Sequence, residues 1–168
     1  MKSVSSLTRI ALLFALCIIL NFLESTYVLF PLYPGVKLGL SNVAVMYALF
    51  LMNFRVALSL SVAKALFSFI TRGFSAGVLS LAGGFVSILA MLVLYKVFKD
   101  KISLLTLSVT GGVLHNLAQL TSVSLMWQTS AVFSLSPILI ISGTVFGILN
   151  ALLLRTTLPY LKRLGGAK

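Results

Sequence analysis

The chain has 168 residues, 60% of them apolar, with thirteen Lys and Arg against two acidic residues. That composition describes one integral membrane domain and excludes a soluble globule. A single cysteine excludes a disulfide framework and a cysteine-based metal site. The net charge of +11 does not indicate nucleic acid, because no basic stripe with interleaved aromatics lies outside the apolar runs.

A bilayer core requires roughly 20 mostly apolar residues per helix. Six segments are predicted to span: about Leu7–Leu23, Leu38–Asn53, Val56–Ile70, Ala76–Phe98, Ile102–Trp127 and Val132–Leu154. The first follows Lys2 and Arg9 and imitates a signal peptide, but no small-x-small cleavage site follows it, so it reads as an uncleaved helix. The connection from Glu24 to Lys37 is apolar and aromatic, and its residues Tyr27 to Pro34 suit a lid. Asn53-Phe54-Arg55 joins spans two and three in a tight turn, because one continuous helix would leave Arg55 in mid-bilayer beside no acid. Arg72-Gly73-Phe74-Ser75, Lys96–Lys101 and Gln128-Thr129-Ser130 form the remaining turns, and Leu164–Lys168 reads as a flexible tail.

With both termini cytoplasmic, Lys2, Arg9, Arg55, Lys96, Lys99, Lys101, Arg155, Lys162, Arg163 and Lys168 all fall inside. Lys37 and Arg72 fall outside, and Lys64 falls within a span. That asymmetry follows the positive-inside rule and predicts a multi-pass protein of a bacterial or archaeal plasma membrane.

Ionisable and amide side chains within spans are costly and mark sites by default. Glu24, Asn42, Lys64, His115, Asn116 and Gln119, with Lys37 and Arg72 at the boundary, gather in the outer half on spans one, two, three and five. They predict a cavity that opens outward. Cations outnumber the one acid there, so an anionic or strongly hydrogen-bonding head group is the expected ligand, with apolar walls for an attached hydrophobic part. Structural readings stand beside this one. Lys64 snorkels or pairs with Glu24, the His115 cluster is interhelical glue, and Lys37 and Arg72 anchor the interface. Small residues at Ala11/Ala15, Gly83-Gly84, Gly111-Gly112 and Gly143/Gly147 allow close helix approach, and the first pair suits docking of a partner helix.

Several chemistries lack their residues. There is no P-loop, so ATP-driven work requires a partner. Asp100 is the sole aspartate, which excludes an aspartate-rich magnesium site for diphosphates. One histidine without nearby carboxylates or cysteine makes no transition-metal centre. Neither a cofactor nor catalysis by this chain alone is expected.

The stretch Glu24…Pro31…Gly35-Val36-Lys37-Leu38-Gly39-Leu40-Ser41-Asn42, with Arg72-Gly73, Ser80-Leu81-Ala82-Gly83-Gly84 and His115-Asn116-Leu117-Ala118-Gln119, resembles the Gx transporter family, also labelled heptaprenyl diphosphate synthase component I. That family is similar in turn to the substrate-binding S components of energy-coupling factor (ECF) transporters. The resemblance implies an all-α fold of six helices, an outer pocket under a lid, and docking through Ala11 and Ala15 onto a transmembrane coupling subunit served by two ATPases. It makes the chain a substrate-binding subunit for an anionic or amphipathic molecule, such as an isoprenoid diphosphate or quinone precursor. Two rivals remain: a non-catalytic membrane accessory subunit of an isoprenoid-synthesising or redox enzyme, and a stand-alone ion-coupled carrier using Glu24.

Overall fold

Where water is excluded, backbone N–H and C=O groups must pair within their own segment, and long apolar runs therefore become helices. The computed structural model describes residues 2–26 and 39–165, with side chains for 7–26, 39–99 and 101–159. Its helices are α1 (Lys2–Thr26), α2 (Leu40–Leu51), α3 (Phe54–Arg72), α4 (Phe74–Phe98), α5 (Leu104–Trp127) and α6 (Ser136–Gly165). Short 3-10 turns at Lys99–Lys101 and Ala131–Leu135 complete the described elements, and no strand occurs among the described residues. The lid expected at Tyr27 to Pro34 lies outside the described residues.

The junctions follow from local chemistry. Asn53 starts α3 by accepting the Val56 N–H at 2.9 Å, and Ser103 starts α5 by accepting the Thr106 N–H at 3.0 Å. Gly73, at φ 87°, ends α3 and begins α4 in a single residue. Consecutive helices run antiparallel, which places Gly73 and Gln128 at one end of the bundle. The opposite end carries Arg55, Lys96, Lys99, Lys101 and Arg155.

Four segments are long and apolar enough to cross a membrane: Leu7–Thr26, Phe54–Arg72, Phe74–Phe98 and Ala131–Pro159. The six-span reading meets two departures. With 24 residues, α5 is long enough, but its Ser, Thr and Gly residues with His115, Asn116 and Gln119 make it too polar to qualify by composition. The 12 residues of α2 reach only about 18 Å, well short of a core of about 30 Å. A third departure is at the far end, where α6 continues through Pro159 to Gly165 and takes Leu164 and Gly165 out of the expected flexible tail. Leu, Lys and Arg in that stretch are good helix formers, and they outweigh the one hydrogen bond that Pro159 removes.

Helices in lipid gain little from burying apolar surface against each other, so close backbone approach matters more. The α5–α6 pair packs most extensively, followed by α4–α5 and α3–α4. A Cβ on Gly112 would lie 2.7 Å from the Gly143 carbonyl oxygen, and one on Gly147 would lie 2.7 Å from Val109 Cα. Ser108 Oγ uses this proximity to donate to the Gly147 carbonyl at 2.7 Å. α1 is peripheral. It packs on α2 and α3 and buries the smallest share of any of the four apolar segments. Its Ala11 and Ala15 are exposed.

Candidate functional site

The start of α2 is the floor of the site. Gly39 holds φ 69°, a left-handed conformation that favours glycine, and its carbonyl accepts Asn150 Nδ2 at 3.1 Å. Asn150 lies fourteen residues into α6, about 21 Å from Ser136, so α2 begins deep inside the bundle. Orphan N–H groups at such a depth need partners. The Glu24 carboxylate supplies them from α1: Oε1 accepts the Leu40 N–H, and Oε2 accepts Ser41 Oγ at 3.0 Å. A negative charge at a helix N-terminus also interacts favourably with the helix dipole.

Lys64, only 5% exposed, reaches the same place from α3. Its Nζ donates to Asn42 Oδ1 at 2.6 Å and to Ser41 Oγ at 3.3 Å. The Ser41 hydroxyl thus stands between the buried ammonium and Glu24, accepting from one and donating to the other. Among the described residues this relay replaces the direct Lys64–Glu24 pair and the snorkelling lysine that the sequence left open. Buried ions need such compensation, because desolvating each costs several kcal/mol.

The walls rise from the other helices. Arg72 donates to Ser68 Oγ at 2.8 Å, and Asn21 Nδ2 reaches the same oxygen at 3.1 Å. His115 lies against Gly83, where a Cβ would come within 2.8 Å of Cε1 and 2.9 Å of Nε2. Gln119 Nε2 sits 3.2 Å from His115 Nε2, as their i,i+4 spacing predicts. Asn116 turns toward α6, donating to the Leu139 carbonyl at 2.8 Å and to Ser142 Oγ at 3.4 Å, which is the interhelical bond of its structural reading.

These groups surround one cavity of about 40 Å³ to which all six helices contribute. Asn21 and Glu24 come from α1, Ser41 and Asn42 from α2, Lys64 and Arg72 from α3, and Ser80 from α4. From α5 come Gly112, His115, Asn116 and Gln119, and from α6 Gly143, Phe146, Gly147 and Asn150. One water requires roughly 10–15 Å³, so the cavity has room for about three waters. A second cavity of about 10 Å³ adjoins it and shares Asn42, Gly112 and Asn150.

Of the expected site residues, Glu24, Asn42, Lys64, Arg72, His115, Asn116 and Gln119 therefore meet around one space. Lys37 lies outside the described residues. Asn21, Ser41, Ser80 and Asn150 also line the cavity without having been singled out. Asn21 and Asn150 each stand alone in an apolar run, and that isolation is the signal that marks them. Among the described residues no group of three His, Cys, Asp or Glu side chains could hold a metal ion.

The family model described as heptaprenyl diphosphate synthase component I matches residues 13–157. The chain belongs to that family. The matched region runs from α1 into α6 and contains every residue that lines the cavity. It bears on that family and not on the likeness to S components of ECF transporters. Neither a curated protein nor a solved structure matches the chain.

Proposed function

We propose that this protein is a non-catalytic membrane subunit that binds a small molecule with an anionic head group and works within a larger assembly. The supporting observation is the cavity. Apolar helices do not bring a buried lysine, an arginine, a histidine and several amides to one space without a use for them, because each such group in lipid is costly. The guanidinium and ammonium suit phosphate or carboxylate, since charge-assisted hydrogen bonds to these are the strongest available. Lys64, Arg72, Asn42, His115 and Gln119 would hold the head group, and Lys37 would add a further cation. Glu24 would keep the floor in shape, and Asn116 would support the wall.

The family description names a component of an isoprenoid-synthesising enzyme, and on that ground the assembly we favour is a prenyl diphosphate synthase with this chain as its membrane accessory subunit. A second reading is the substrate-binding subunit of an ECF-type uptake transporter, which would dock its coupling subunit and two ATPases through Ala11 and Ala15. The built cavity and the exposed position of both alanines favour it.

Gentle purification from host membranes, with identification of the co-purifying chains and small molecules, tests both. A synthase subunit supports the first reading, and a coupling subunit with ATPases supports the second. The binding proposal itself fails if Arg72→Ala, Lys37→Ala and His115→Ala each leave ligand binding unchanged in folded protein.

A further inference from the structure

The cavity's hydrogen-bonding groups do not balance. At its mouth and side the two cations keep spare donors: Arg72 spends one N–H on Ser68, and Lys64 spends two of three on Ser41 and Asn42. At its floor the spare group is an acceptor. Asn150 is 5% exposed, its Nδ2 donates to Gly39, and its Oδ1 has no hydrogen-bond partner. The Gly39 carbonyl also accepts the Asn42 N–H at 2.9 Å, and turning the Asn150 amide over would set its oxygen against that carbonyl oxygen, acceptor against acceptor, so the nitrogen faces Gly39. Asn150 lines both cavities, and its Oδ1 is itself closed to solvent. A buried acceptor without a partner is destabilising, and native structures keep few of them.

Resting on the ligand-binding reading above, we infer that the head group is bifunctional, with an anionic group held by Arg72 and Lys64 and a hydrogen-bond donor, a protonated amine or a hydroxyl, that reaches Asn150 Oδ1 as the two adjoining cavities widen around it. A plain alkyl phosphate or diphosphate satisfies the cations and leaves Asn150 unsatisfied. An amino or hydroxy derivative satisfies both. Asn42 stands between the two halves of the site. Its Oδ1 accepts Lys64, and its Nδ2 lies 3.2 Å from where a Gly39 Cβ would be, beside Asn150 Nδ2 at 3.3 Å. Lys64 on the anion side and Asn150 on the donor side are therefore linked through Asn42 across Gly39, within the reach of a short spacer.

The test compares probes that differ only in the donor: ethyl phosphate against 2-aminoethyl phosphate, and propyl phosphate against 3-aminopropyl phosphate. Binding is titrated by native mass spectrometry of the full chain in detergent. An amine should bind about tenfold more tightly than its alkyl partner for at least one spacer. That preference should vanish in Asn150→Leu and persist in Asn150→Asp, which retains an acceptor; the aspartate variant covers the case in which leucine fails to fold. Equal binding of amine and alkyl probes to the unmodified chain, or a preference that survives Asn150→Leu, overturns this inference and leaves the anion-binding reading intact. Absence of any phosphate binding that responds to Arg72→Ala overturns both.

Discussion

Replacing Gly147 by alanine measures how much of the fold depends on the approach of α5 to α6. The new Cβ would stand 2.7 Å from Val109 Cα and 3.1 Å from both Val109 N and Ser108 O. Carbon atoms rest at about 3.5–4.0 Å, so the helices would have to part by roughly 1 Å. Backbone atoms cannot rotate away as a side chain can. Parting by that amount also stretches the 2.7 Å bond from Ser108 Oγ to the Gly147 carbonyl beyond useful range. Overpacking of this kind costs about 1–3 kcal/mol, and an interhelical hydrogen bond in a membrane contributes about 0.6 kcal/mol. The expected loss is therefore about 1.6–3.6 kcal/mol. Unfolding in mixed micelles with rising SDS, followed by circular dichroism, reads it directly, and Ser108→Ala isolates the hydrogen-bond share. A Gly147→Ala protein as stable as wild type, or no less stable than Ser108→Ala, would refute the reasoning.

Gly83→Ala crowds the end of the His115 side chain rather than backbone, so the fold should survive within about 1 kcal/mol while phosphate-probe binding weakens several-fold; unchanged affinity would remove His115 from the head-group contacts. Glu24→Gln should destabilise by about 1–2 kcal/mol through loss of the charge at the start of α2. Lys64→Met should also destabilise, and the double variant should lose less than the two single losses added, with a coupling of at least about 0.5 kcal/mol; strict additivity would mean that the Ser41 relay carries no coupling. In a Cys17→Ala background, a membrane-impermeant thiol reagent should label Ser130→Cys from outside intact cells and Lys99→Cys only after permeabilisation. The reverse pattern would invert the proposed orientation.

Much of the candidate site was legible because polar residues stand out in an apolar sequence. Counting residues from flanking charges and span ends places Glu24 near the outer edge of the core, Lys64 close to the midplane and the His115–Gln119 pair in the outer half. Their partners could not be read this way. Nothing local indicates that Lys64 bonds Asn42 and Ser41 instead of Glu24, since that choice depends on where α2 begins. The apolar run from Leu38 to Asn53 looks the same whether it crosses the membrane or only half of it. Contacts from Glu24, sixteen residues before Leu40, and from Asn150, 111 residues after Gly39, set the depth of its first turn. Asn150 was missed for a related reason. A single amide in a leucine-rich run points to lipid, helix or cavity according to a rotation that only the packing of α5 on α6 determines. The glycines were easier to read, because small residues in such helices allow close approach, and Gly112, Gly143 and Gly147 lie where α5 meets α6.

The bond between Asn150 and Gly39 also orders events in biosynthesis. At about 5–20 residues per second, the 111 residues that separate the two take about 6–22 s to make. Early in that interval Ser41, Asn42 and Lys64 join Glu24, and the four can assemble the start of α2 from the first three helices alone. The last helix then arrives at a prepared docking place, and its asparagine closes the floor. A ribosome-stalled chain ending before α6 should thus hold the Glu24–Lys64 arrangement but bind no ligand, because the candidate site is complete only once α6 has been made.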